Sequence, residues 1–138
     1  MIVIDTDVLI EIFDRKSAKG GEALNKILDS GESACITAIN LHEVLYGLEK
    51  YAKPVKDVLR LPVLSFVKRD ASVAAKIELE MERSGSAIRR TDAMIAAVAL
   101  NNGAVLYTFD VRHFKPTFVK TLTTLRPETT GRATYIHF

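Results

Sequence analysis

Residues 1–10, MIVIDTDVLI, carry the reading from which the rest of the chain follows. Ile2, Val3 and Ile4 form a β-branched run of the kind that is buried on both faces of a sheet. The run stops at Asp5. Thr6 and Asp7 follow, and Val8, Leu9, Ile12 and Phe13 then recur at helical spacing. A strand that passes into a helix through Asp-Thr-Asp sets two carboxylates at a strand's carboxyl end, the edge where open α/β sheets hold their ligands. The plainer reading is that Asp5 or Thr6 only caps the helix. What separates the two is whether further acids reach the same edge.

Working outward, a polar, glycine-containing turn over 17–21 leads to a helical stripe of Ala23, Leu24, Ile27 and Leu28, closed by Ser30-Gly31. A second strand is expected over 33–36. The next helix, over 37–53, is striped by Leu41, Val44, Leu45 and Leu48; it starts at Thr37 or at Asn40 and is stopped by Pro54. A short helix over 55–61 ends at Pro62, and a third strand follows over 63–67. Asp70 then reads as the cap of a helix carrying Val73, Ala74, Ile77 and Met81, ended by Gly85. A basic link over 86–90 precedes an alanine-rich helix over 91–101 with Gly103 as its C-cap. The fourth strand, 105–107, runs into Thr108-Phe109-Asp110 and a turn through His113, Phe114 and Pro116. Segments 118–125 and 134–138 both read as strands around a loop at 127–132, and the sequence does not choose between them.

Short apolar strands alternating with helices predict a three-layer α/β/α sandwich around a central, mostly parallel sheet, as one domain over residues 1–138. Right-handed crossovers bring all strand carboxyl ends to one edge. Asp5 and Asp7 follow the first strand. Glu43 lies about a turn into the helix after the second, and Asp110 follows the fourth. Asp92 opens the helix before the fourth strand; that helix runs antiparallel to its strand, so its start lies over the same edge. Crowded carboxylates repel one another and call for a compensating cation. Mg2+ or Mn2+, which favour oxygen ligands, suit them and can support displacement at phosphorus.

Composition sets bounds on this chemistry. The 138 residues are 48% hydrophobic and 26% charged, ordinary for a globular chain. No apolar run reaches bilayer length, and the first one is too short and too soon interrupted by acids for a signal peptide, so a cytoplasmic protein is expected. Cys35 is the single cysteine and reads as buried packing; no Cys/His cluster suggests zinc. A net charge of +2 does not by itself announce nucleic acid. With acids gathered in one pocket, however, the remaining surface is more basic than the total.

The stretches IDTDVLI, TAINLHEVLYGL, TDAMIAAVAL and LYTFDVRHF, in that order over residues 1–114, resemble the PIN-domain ribonucleases, most closely the VapC-type toxins of toxin–antitoxin pairs. The resemblance implies that Asp5, Glu43, Asp92 and Asp110 are the catalytic, metal-binding quartet, with Asp7 an added ligand or a water contact. It also implies metal-dependent cleavage of RNA, a homodimer, and an antitoxin partner that blocks the site.

Around these acids, Thr6 and Thr108 either orient water or a carboxylate or serve as turn and cap residues. Arg89 and Arg90 either bind RNA phosphates or form a solvated link, and Arg112 and Lys115 are weaker candidates of the same kind. His42 and His113 are poor general bases where a metal activates water. Tyr46 and Tyr51 read as packing or interface residues. Two other functions compete. One is a haloacid-dehalogenase-type phosphatase with Asp5 as nucleophile and Asp7 as acid, which gives Glu43 no work. The other is a domain that binds RNA or a partner without cutting.

Overall fold

The computed structural model describes residues 1–114 and the backbone of 121–122. Its elements, in chain order, are β1 (Ile2–Ile4), α1 (Thr6–Leu9) continued by a π-helical stretch (Ile10–Asp14), α2 (Ala18–Asp29), β2 (Ala34–Thr37), α3 (Ala38–Lys50), a 3-10 turn (Val58–Arg60), β3 (Val63–Leu64), α4 (Lys68–Arg83), α5 (Arg90–Asn101), β4 (Val105–Tyr107), α6 (Val111–Phe114) and β5 (Thr121–Leu122). The sheet order is β3-β2-β1-β4-β5, and every pairing is parallel.

β1 lies at the centre of the sheet. Ile2 pairs with Ala34 on one side and Val105 on the other, and Val3 with Cys35 and Leu106. Its three side chains are almost fully buried, as a β-branched run covered on both faces requires. Alternation along the strand divides them. Val3, Cys35 and Leu106 join a core with Ile77 and Met81 of α4 and the alanines of α5. Ile2, Ile4, Ile36 and Tyr107 join a second core with α1, α2 and α3. The sandwich is therefore three layers, as the alternation predicts. α5 is buried nearly all round: Ala93, Ile95, Ala96, Ala97, Val98 and Ala99 are each 1% exposed or less. Small side chains let it lie close against both the sheet and α4.

The connections from β1 to β2 and β3 run outward in one direction, and that from β4 to β5 in the other. β1 and β4 thus flank the topological switch point, where a crevice opens at the strands' carboxyl ends.

Several boundaries differ from the sequence reading, each for a local reason. The expected turn over 17–21 is the start of α2. Ser17 is its N-cap, accepting from the Gly20 amide at 3.0 Å and donating to Glu11 Oε1 at 2.9 Å. Gly20 is tolerated inside the helix because a Cβ there would lie 2.1 Å from the Glu11 carbonyl oxygen. The close approach of α2 to the π-helical stretch outweighs helix propensity. α3 starts from Thr37, not Asn40: Thr37 accepts from the Asn40 amide at 3.1 Å, and Asn40 Oδ1 accepts from the Thr37 amide at 3.0 Å. Asp70 stands in the first turn of α4 rather than at the N-cap position, and caps the helix from there by accepting from the Val67 amide; it also accepts from Asn101 Nδ2. The strand expected over 63–67 is only two residues long, and the helix over 55–61 is a single 3-10 turn. Of the two C-terminal candidates, 118–125 contains β5, while 134–138 lies outside the described residues. Among the described residues, no helix is long and apolar enough to cross a membrane.

Candidate functional site

Asp5 is set by the end of β1. Its amide donates to the Tyr107 carbonyl at 2.9 Å, the last rung holding β1 to β4. Its side chain caps α1, with Oδ1 accepting from the Thr6 amide at 2.8 Å. Capping does not exhaust it, because Oδ2 accepts from the Thr108 hydroxyl at 2.8 Å. That bond spans the switch point from the end of β1 to the end of β4. Asp7, in the first turn of α1, reaches the same place: Oδ2 accepts from the Phe109 amide at 3.2 Å. Its other oxygen, Oδ1, is buried and has no hydrogen-bond partner among the described residues.

Burial, followed by the neighbouring Asp7 charge, pushes the Asp5 carboxyl up to about 8, against the pull of its Thr108 and Thr6 hydrogen bonds. Burial also raises Asp7. Two carboxylates side by side, held by neutral donors, hold a proton unless a cation joins them.

Glu43 reaches the edge from α3 and is positioned through a chain of buried polar groups. Thr37 Oγ1 lies 2.7 Å from Asn40 Oδ1, and Asn40 Nδ2 donates to Thr6 Oγ1 at 3.0 Å. Because Thr6 Oγ1 accepts there, its single hydrogen is directed to Glu43 Oε1, 2.6 Å away. Asn40 is fully buried.

Asp92 lies in the first turn of α5, 3% exposed. Oδ2 accepts from Arg89 Nε at 3.0 Å and lies 2.9 Å from His113 Nε2. Asp110 is the exposed member. Its amide donates to Thr108 Oγ1 at 3.0 Å, and its Oδ1 accepts from the His113 amide at 3.3 Å. Thr108 therefore ties Asp5 to Asp110, and His113 spans Asp110 and Asp92.

The five acids line one cleft of about 910 Å³. Thr6, Arg89 and His113 line it too. Thr108 is buried beneath the acids, holding them. Arg90 is not part of the wall; its guanidinium makes two bonds to Glu78 of α4, at 3.1 and 3.0 Å. Lys115 lies outside the described residues. Tyr46, read as a packing or interface residue, is 64% exposed and stands on the cleft wall one turn beyond Glu43, so it is not core packing. Asn40, read only as a possible cap, orients Thr6; its spacing of three residues from Glu43 was the one available signal. Cys35 is buried, and burial pushes its thiol up, as suits inert packing.

The donor set suits a hard divalent cation: carboxylate oxygens in a partly buried cleft, with a buried, partnerless oxygen on Asp7. Among the described residues no three acid, His or Cys side chains stand in ligating positions together. Thr6, Arg89 and His113 occupy the carboxylates of Glu43 and Asp92 instead.

Comparison with known proteins agrees with this geometry. The PIN domain family model matches residues 2–118. The chain is similar to the tRNA(fMet)-specific endonuclease VapC of Shigella flexneri, 30% identical over 120 residues, 82% of this chain and 89% of that one. It is 26% identical to ribonuclease VapC2 of Haemophilus influenzae over the same shares. A solved structure of DNA-bound VapBC from Salmonella typhimurium contains a chain that superposes with a TM-score of 0.67 at 30% identity, covering 82% of this chain and 89% of that one.

Proposed function

The chain belongs to the PIN domain family, among its VapC-type ribonucleases, and from that premise we propose that it hydrolyses RNA phosphodiester bonds with a divalent metal held in the acidic cleft. The observation that carries the reading is the meeting of Asp5, Asp7, Glu43, Asp92 and Asp110, from four segments of the chain, in one cleft at the switch point. The phosphatase alternative has no support here. Glu43 stands in the same cleft as Asp5, and the family found is a nuclease one.

Asp5, Glu43, Asp92 and Asp110 would hold the metal, with the partnerless oxygen of Asp7 available as a further ligand. A bound Mg2+ or Mn2+ would supply charge neutralisation at the phosphoryl group and a more acidic water. The protein's own groups do the rest. Thr108 holds Asp5 and Asp110 in mutual register. Thr6, fixed by Asn40, turns Glu43 toward the cleft. For the site to be competent Asp5 would have to give up its proton, a loss that a bound cation would favour.

VapC-type membership also implies toxin activity, an antitoxin partner and a homodimer, and the Salmonella relative was solved as VapBC. The Shigella relative is named for tRNA(fMet), so a folded tRNA is the first substrate to assay. Cleavage should require Mg2+ or Mn2+, stop with EDTA, and be absent from folded Asp92→Asn. Cleavage by that variant at the wild-type rate would overturn the assignment.

A further inference from the structure

The acidic cleft already holds a cation of its own. Arg89 is the residue before α5, in an extended conformation, so its side chain folds back over the first turn of the helix. Nε donates to Asp92 Oδ2 at 3.0 Å, and Nη2 lies 3.5 Å from Oδ1. The pair is lopsided: the Asp92 side chain is 5% exposed and that of Arg89 76%. Asp92 raises the guanidinium pKa most, and Glu43 and Asp5 raise it further, so Arg89 stands in the field of three acids of the cleft. Its neighbour Arg90 is bound to Glu78 and is not part of the cleft wall.

We propose that Arg89 is a displaceable counter-cation: it neutralises Asp92 until a divalent ion takes that carboxylate, and the freed guanidinium then meets the RNA phosphate entering the cleft. The inference rests on the metal-nuclease reading above. Its physical basis is a competition for one carboxylate. An ion pair whose cation is this exposed is weak, so a doubly charged ion that gathers several carboxylates displaces it readily. The released group is still tethered at the wall, and a guanidinium is well shaped to take a phosphate with two parallel bonds.

A single substitution should then act in opposite directions on metal and on RNA. Mn2+ binding, read from the EPR signal of the free ion, should tighten in Arg89→Ala by about three- to fivefold, the most that so exposed a pair is worth. Arg90→Ala should leave it unchanged. The RNA KM of Arg89→Ala should rise at saturating metal. In wild type, the Arg89 Nε–H resonance, assigned by its loss in Arg89→Ala, should move and exchange faster with water as Mg2+ is added. Unchanged Mn2+ affinity in Arg89→Ala, or an Nε–H signal that stays in place at saturation, would overturn the role of Arg89 while leaving the metal site standing. Absence of Mn2+ binding to wild type at millimolar ion would remove the metal reading itself, and this inference with it.

Discussion

The two halves of the cleft hold the same kind of side chain by opposite means. On the β1 side, Asp5 and Asp7 are surrounded by neutral donors, namely the Thr6 and Phe109 amides and the Thr108 hydroxyl, and one buried Asp7 oxygen has no partner among the described residues. On the α5 side, Asp92 is met by a guanidinium and an imidazole. Neutral donors orient a carboxylate without cancelling its charge, so the first half is poised to hold a proton or to attract a cation. The second half is compensated from within by the Arg89 guanidinium, which a divalent ion taking Asp92 would have to displace. Metal binding at such a site would need little reorganisation on one side and an exchange of partners on the other.

The largest effects should show the halves acting together. Asp5→Asn and Asp92→Asn should each reduce RNA cleavage by on the order of 10²-fold or more, the scale of losing a preorganised electrostatic group. Their metal-free stabilities should separate them. Calorimetry in EDTA at neutral pH should give Asp5→Asn a higher midpoint than wild type, because the wild-type fold must take up a proton to keep Asp5 uncharged and Asn needs none. Asp92→Asn should fall slightly below wild type, by no more than about 1 kcal/mol, because its cationic partner Arg89 is largely in solvent. Shifts of the same sign would break the comparison.

Metal should erase much of the contrast. At a concentration a hundred times the Kd, Mg2+ should add about 2.7 kcal/mol, a shift of a few degrees in wild type. A wild-type melting curve identical with and without millimolar ion would contradict it.

The pH dependence follows from Asp5. Its folded value, about 8, lies above its ordinary value of 3.8, so between those values the folded chain keeps a proton that the unfolded chain releases. This contribution to stability is present at low pH and is lost as pH rises toward about 8. The metal-free midpoint should therefore carry a falling component across that window, absent from Asp5→Asn. The gain from Mg2+ should grow over the same range as the ion replaces the proton.

The least direct effect on cleavage concerns the support beneath Glu43. Thr6→Val leaves the buried Asn40 amide without its acceptor and should cost about 1–3 kcal/mol, while Thr6→Ser keeps the bond. If the network orients Glu43, Thr6→Val should also need more metal for half-maximal cleavage. A stability loss with unchanged metal dependence would reduce the network to packing.

Much of this was legible from one strand and the residues after it. A β-branched run ending in Asp-Thr-Asp, with later acids at the ends of other elements, already implied a parallel sheet and an acidic edge, because strand direction and crossover handedness leave few other placements. The acids were readable because each follows directly from the local element that carries it. Thr6 and Thr108 stayed ambiguous, since a hydroxyl at a helix start serves a cap and a site equally well. Arg89 and Arg90 are adjacent in the chain, and nothing local distinguishes them; only the packing of α4 beside α5 supplies Glu78 to one and leaves the other to the cleft. Asn40 reads as a cap until α1 and α3 are brought together and its amide finds Thr6. The sequence by itself determined which elements form and which acids they present, because those depend on neighbours along the chain. The tertiary structure alone decided the pairings that cross between elements, such as Thr108 with Asp5, Asn40 with Thr6 and His113 with Asp92, because such a bond is a matter of a few ångströms between residues tens of positions apart.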